Sequence, residues 1–270
     1  MTAVSAVRPH PSAVTQWWVL TARFIKPTLR NGELALTIAS SVVFTAGFYV
    51  PLSHVMATAT GAVSSSYAQY IMPLVALQAI VFAAISTAFR AAIDSRQGIN
   101  RRFGTMPIAP LTPVAARIAA AAYRCSVALA VSTLCGHVIG FRFHRGAVYI
   151  VGFCALVVVI GVLLSFAADL VGTGSRNPEA MMPLLILPPL IFGLLSVGVQ
   201  PARQFPHWIQ PVVRDQPISQ FVVALRTLAG DSPPFAGSLT WPIMLPTLAW
   251  LVGTAIVLIP ASALVLSRRS

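Results

Sequence analysis

Six carboxylates, five histidines and three cysteines are the side chains of this 270-residue sequence best suited to acid–base, nucleophilic or metal chemistry. Their spacing works against all three. Glu33, Asp94, Asp169, Glu179, Asp215 and Asp231 are scattered, no two within four residues of each other. No clustered acids are therefore present to hold magnesium pyrophosphate or to divide general acid and base roles. His10, His54, His137, His144 and His207 have no aspartate four or five residues further on, so an acyltransferase-type His/Asp pair is missing. They read as interfacial or packing residues. Cys125, Cys135 and Cys154 sit in apolar runs with no close partner, as small packing groups rather than a disulfide framework or a zinc site. The lone lysine, Lys26, is followed by Pro27, and a GxxxxGK[ST] phosphate loop cannot be built on it. The expectation is no catalytic residue, no metal and no cofactor on this chain. If ATP drives it, another chain binds the nucleotide.

What remains is charge set into apolar sequence. Arg117 and Arg124 lie seven residues apart, about two helical turns, and so face broadly the same way. Asp169 lies near the end of a later apolar run. The two runs are joined by a short turn centred between Phe143 and His144, and equal distances back from that centre place Asp169 level with residue 118. An unpaired charge in hydrocarbon is costly. Asp169 is therefore expected to pair with Arg117, with Arg124 as a possible sharer, either as a clamp or as part of a substrate-facing surface.

The elements that must position these groups follow from composition. With 57% hydrophobic residues, 9% charged residues and a mean hydropathy of +0.81, the chain departs from soluble domains, which carry roughly 25% charged residues. Six segments can cross about 30 Å of hydrocarbon as helices: Leu34–Leu52, Tyr67–Phe89, Arg117–Gly140, Ala147–Val171, Met181–Val199 and Trp241–Leu266. The fold class expected is an all-α membrane protein, with residues 1–33 as a cytoplasmic tail and interfacial helix and 34–270 as a six-helix transmembrane domain. Nothing before Leu34 resembles a cleavable signal peptide, so the first span is expected to stay. Pro188 and Pro189 inside the fifth span predict a bend whose freed carbonyls a neighbour must satisfy.

Of the 18 basic residues, Arg142, Arg145, Arg203, Arg214 and Arg226 fall on one side of such a six-span chain, Arg124 falls within the membrane, and the rest collect on the other side. The positive side is the cytoplasmic one, which puts both termini in the cytoplasm of an inner-membrane protein. The net charge of +12 lies in short segments flanking apolar runs, a distribution that suits an anionic leaflet rather than nucleic acid. Ahead of the first span, Arg23, Lys26 and Arg30 share one helical face, while Trp17, Leu20, Phe24, Ile25 and Leu29 fill the other. That pattern predicts a helix in the headgroup plane. The outer segment 200–240 contains "QPISQFVVALRTLAGD", which opens on Pro217 and closes on Gly230, with Ile218, Phe221, Val222, Leu225 and Leu228 on one side. It predicts an amphipathic helix dipping into the outer leaflet.

The order of these parts resembles the permeases of type-two ABC exporters. Arg96-Gln97-Gly98, then basic residues, then Met106-Pro107, resembles that family's coupling element between the second and third spans, although its usual Glu-Arg pair is replaced by Asp94 and Arg96 nearby. Pro206, Trp208, Pro211, Gln216-Pro217 and Leu225-Arg226 resemble the family's outer segment. More narrowly, "NRRFGTMPIAPLTP", "GFRFHRGAVYIVGFC" and "SFAADLVGT" are similar to the B-type membrane subunits of mycobacterial daunorubicin/doxorubicin-resistance exporters.

The resemblance implies a cytoplasmic ATPase subunit, in two copies or with two sites, that binds ATP and Mg2+. It also implies a second related permease, in a heterodimer rather than a homodimer, and a lipophilic cargo. Wax lipids of the phthiocerol dimycocerosate type and anthracyclines are the cargoes associated with such proteins. The cytoplasmic loop 90–116 would dock the ATPase through Arg96, Gly98, Arg101, Arg102 and Pro107, with Ile99, Phe103 and Met106 filling a groove on that partner. Pro206, Trp208, Pro211, Pro217 and Arg226 would line or gate the exit. An ion-coupled carrier and a non-transporting assembly scaffold are the alternatives, and Asp169 is nearly the sole intramembrane acid a carrier could use.

Overall fold

The computed structural model describes residues 12–30, 32–60, 66–99, 112–175, 177–230 and 240–267. Among them only helices and turns occur: α1 (Ala13–Arg30), α2 (Glu33–Thr60), α3 (Tyr67–Arg96), α4 (Thr112–Val138), α5 (Ala147–Gly174), α6 (Pro178–Leu194), a 3-10 turn (Ala202–Gln204), α7 (Gln210–Asp215), α8 (Pro217–Ala229) and α9 (Trp241–Ser267). By length and composition α2, α3, α4, α5 and α9 can cross a membrane. The fifth expected span is shorter than its apolar run. Its helix, α6, stops at Leu194 after 17 residues, about 25 Å at 1.5 Å per residue. The Ser196–Val199 stretch that follows is buried turn rather than helix.

α3 is the axis of the bundle. It packs on α5, α2, α4, α6 and α8, and its side chains are buried along most of its length. Small residues make this possible, since helices in lipid associate by close packing rather than by a hydrophobic drive. Ala84, Ala88 and Ala92, one turn apart, meet Ala168 of α5 and Met181 of α6. Gly172 passes so close that a Cβ there would overlap the backbone of Ala88, and a Cβ at Gly161 would stand 2.6 Å from the Cys125 sulfur. α3 and α5 therefore run side by side in the same direction, and the Ser95 hydroxyl donates to the Thr173 carbonyl near their ends at 3.3 Å. By contrast, α9 and α2 turn large apolar side chains outward, among them Val42, Val43, Val252, Ile256 and Val257.

Helix ends differ from the apolar runs for identifiable reasons. The Ser66 hydroxyl accepts from the Gln69 amide at 3.1 Å and caps α3. α3 then continues past Phe89 through Arg90 and Asp94 to Arg96, and Gly98 at φ 67 follows its end. Glycine alone takes that left-handed turn without strain. α4 begins at Thr112, ahead of Arg117. The loop expected over 90–116 is thus trimmed by helix on both sides, because charged residues at a span end extend the helix as readily as they end it. Residues 101–111, with Arg101, Arg102, Phe103, Met106 and Pro107, lie outside the described residues, as does the side chain of Arg30.

α1 also departs from its two-face expectation. Leu20 and Phe24 are buried against Ala116 and Ala120 of α4, with Trp17, Ile25 and Ile99 packed around them. Protein, not lipid, covers the centre of its apolar face. The same correction applies to α8, expected to dip into a leaflet. Its apolar residues Val222, Leu225 and Leu228 are buried where α8 packs on α3, α5 and α9.

Candidate functional site

Two polar clusters sit at opposite ends of the bundle. At the end where α3 and α5 finish, the Arg117 guanidinium donates to Asp169 at 2.9 Å, joining α4 to α5. This is the pairing that the register argument anticipates. Arg124, 4% exposed, is engaged by Thr87 of α3, whose hydroxyl oxygen accepts from Arg124 Nη2 at 3.0 Å and whose hydroxyl donates to the Ala83 carbonyl at 3.1 Å. The two arginines thus point into one site but hold different helices. Arg117 also lies 5.9 Å from the ring of Phe24 on α1.

These groups wall a cavity of about 20 Å³, lined by Phe24, Thr87, Arg90, Asp94, Arg117, Arg124 and Asp169 among others. Such a volume holds about one water. It is a junction of helix ends, not a chamber for a drug-sized molecule. Four elements meet there: α1 through Phe24, α3 through Thr87, Arg90 and Asp94, α4 through Arg117 and Arg124, and α5 through Asp169. Thr87 and Arg90 were not singled out as site residues from sequence, and Asp94 was named only beside the coupling element. The signal was available, because Thr87, Arg90 and Asp94 recur at spacings of three and four on α3 and so share a face.

Of the residues assigned to coupling, Arg96 is exposed at the end of α3 and Gly98 makes the turn after it. Ile99, expected to enter a groove on a partner, is half-buried against the Leu20–Phe24 cluster of α1. The chain leaving α3 is therefore in contact with α1 before it passes out of the described residues.

At the other end of the bundle, Arg226 of α8 is 2% exposed. It was expected to line an exit, yet its guanidinium is spent inside the protein. Nε donates to the Tyr70 carbonyl at 3.0 Å, and Nη2 donates to the Val197 and Gly198 carbonyls at 2.9 and 3.2 Å. Its charge lies 3.5 Å from the centre of the Tyr70 ring, and the Tyr70 hydroxyl donates to the Val197 carbonyl at 2.7 Å. Gln216 completes the anchor by donating to the Phe192 and Leu195 carbonyls at 3.1 and 2.7 Å. These are the orphan carbonyls of the α6 terminus, where donors and positive charge are favoured. Pro217 starts α8, as expected of a residue with no amide hydrogen.

Other members of the outer set stand apart from this anchor. Trp208 is 79% exposed, and Pro206 and Pro211 are exposed beside it. Gln69 and Gln78 are the polar residues that the reading of the sequence passed over. The Gln69 amide exchanges two hydrogen bonds with the Arg142 backbone, at 2.8 and 3.0 Å, fixing the turn between α4 and α5. Gln78 donates to the Pro189 carbonyl of α6 at 3.2 Å, and only a glycine at 193 leaves room for that approach. A buried glutamine in an apolar helix is itself the signal, since lipid offers it no partner.

The sequence pattern of the ABC-2 family transporter proteins matches residues 36–264. The doxorubicin resistance ABC transporter permease protein DrrB of Mycobacterium tuberculosis is 57% identical over 258 residues, covering 94% of this chain and 89% of that protein. The probable doxorubicin resistance ABC transporter permease protein DrrC of the same organism is 26% identical over 210 residues, 76% of each chain. The daunorubicin resistance ABC transporter permease protein DrrB1 of Streptomyces coeruleorubidus is 28% identical over 174 residues, covering 64% of this chain and 61% of that one. With that match running from α2 into α9, the chain belongs to the ABC-2 family of transporter proteins.

Proposed function

We propose that this chain is the membrane permease of an ATP-driven exporter of lipophilic molecules, working with a separate ATPase and a second, related permease. The observation that carries the proposal is the family match over 36–264 on a bundle of apolar helices whose sequence contains no phosphate-binding loop. α2 to α6 and α9 form six crossings, α6 being the short one. α1 rests on the inner face, and both termini are cytoplasmic. The Arg117–Asp169 junction then lies at the inner face and the Arg226 anchor at the outer one.

In this mechanism the partner ATPase would bind ATP and Mg2+ and supply the movement as its nucleotide-binding units come together. The loop after α3 receives the movement through the basic residues Arg96, Arg101 and Arg102 and the apolar Phe103 and Met106. Ile99 and the Arg117–Asp169 pair carry it to α1, α4 and α5. The cavity at that pair holds about one water, so the cargo is assigned to a path between two permeases. Outward-facing side chains of α2 and α9 leave surface for lipid or a partner permease, and a DrrC-like chain exists beside DrrB in M. tuberculosis. The cargo class is anthracycline-like drugs, as the names of the relatives suggest, with complex wax lipids of the phthiocerol dimycocerosate type as the further expectation.

An ion-coupled carrier would have to use Asp169, and that carboxylate is engaged by Arg117. The deciding experiment is doxorubicin transport by proteoliposomes that contain the chain, the ATPase and the second permease. ATP-dependent transport that Arg102→Glu abolishes, together with ATPase co-purification, is expected. Transport by the chain alone, driven by a proton gradient, overturns the proposal.

A further inference from the structure

α1 carries three stripes rather than two. At 100° per residue, Leu20, Thr21, Phe24 and Thr28 form the buried stripe against the bundle. Val14, Trp18 and Leu29 form a second stripe, and they are 72%, 64% and 56% exposed. Arg23 and Lys26, both exposed, lie on the third side, with the exposed Val19 between them. A helix that only packed on protein would not need an exposed apolar stripe about a quarter of a turn from its buried one. A helix lying in a headgroup plane needs this arrangement, with apolar groups below, protein beside it and cations among the phosphates.

The cationic stripe does not stand alone. Arg23 of α1, Arg90 of α3 and Arg117 of α4 all act electrostatically on Asp94, so three helices bring guanidinium groups to one place. Among the described side chains at this junction, Arg23, Arg90, Arg117 and Arg124 outnumber Asp94 and Asp169. The acids are too few to neutralise the arginines whichever pairs form.

We propose that the junction of α1 and the inner end of α3 is a binding site for an anionic phospholipid of the inner leaflet, its phosphate held by Arg23, Lys26 and Arg90 and its acyl chains beside Trp18 and Leu29. The inference rests on the reading of α1 as an interfacial helix. It adds a headgroup preference at a defined place, next to the junction through which α1, α3, α4 and α5 communicate. Lipid bound there ties α1 to the helix that leads into the coupling loop, so the charge of the inner leaflet sets how firmly that loop is held.

The test uses the purified full-length chain in neutral detergent, with native mass spectrometry comparing phosphatidylglycerol and phosphatidylcholine. Wild type retains phosphatidylglycerol in preference. Arg23→Gln and Lys26→Gln, at exposed positions that leave the core intact, each lower that preference about fivefold, the equivalent of about 1 kcal/mol per cation at an anionic surface. Arg203→Gln, an exposed cation at the far end of the bundle, leaves it unchanged. Equal retention of the two lipids, or equal loss in Arg203→Gln, overturns the site. Displacement of the lipid by inorganic phosphate at matched concentration overturns the lipid as the ligand. Quenching by brominated phosphatidylcholine, compared between wild type and Trp18→Phe, is a separate arm. No difference between the two proteins defeats the interfacial reading itself, and a difference without headgroup preference defeats only the lipid site.

Discussion

Arg226 on α8 and Tyr70 on α3, 156 residues apart in sequence, share one buried contact in which the arginine charge lies 3.5 Å from the ring and both side chains donate to the Val197 carbonyl. Both residues are buried. Together they hold the turn after α6 between two other helices. An Arg at this place presents a planar fork to several carbonyls at once, which a lysine cannot do.

Arg226→Met is therefore expected to lower stability by at least about 2 kcal/mol, because hydrogen bonds to a charged group are each worth roughly 1.5–3 kcal/mol and the three that Arg226 donates are lost. Arg226→Lys recovers only part. Thermal unfolding of the detergent-solubilised protein measures both, and an unchanged midpoint in Arg226→Met would refute the anchor.

Trp208 offers the opposite case. It is exposed and outside the anchor, so Trp208→Ala should leave the unfolding midpoint unchanged. If the outer segment gates release, the same variant slows ATP-dependent export in proteoliposomes. A fall in stability as large as that of Arg226→Met would mean that Trp208 is structural.

The Arg117–Asp169 pair is partly buried, its side chains 23% and 15% exposed. Asp169→Asn is expected to cost more than the roughly 1 kcal/mol of an exposed pair and less than the about 3–5 kcal/mol of breaking a fully buried one. The exchange Arg117→Asp with Asp169→Arg restores part of the loss. A double-mutant cycle with no coupling energy would show that the contact contributes nothing.

Gly172→Ala tests the α3–α5 seam. The added methyl meets the backbone of Ala88, which cannot swing aside as a side chain can. A cost of about 1–3 kcal/mol follows from overpacking. Gly136→Ala meets only the flexible end of Met72 and should cost less. Equal losses in the two variants would show that the seam is not rigid.

The sequence by itself determined the class of molecule, the places where apolar runs break, and the pairing of Arg117 with Asp169. Hydrocarbon thickness, the cost of an unpaired charge and the register of a hairpin are local or nearly local constraints, and residue types suffice to apply them. α8, from Pro217 to the left-handed Gly230, was legible for the same reason.

Tertiary structure decided which apolar faces are covered. Leu20 and Phe24 look like lipid-facing residues until Ala116 and Ala120 occupy that side of α1. Arg226 looks like a surface cation until the turn after α6 brings carbonyls to it. The same structure ends α6 at Leu194, where the donors of Gln216 and Arg226 gather the carbonyls that follow. An apolar residue meets lipid and protein on nearly equal terms, and a buried arginine needs acceptors from distant segments. Only the folded chain brings those segments together.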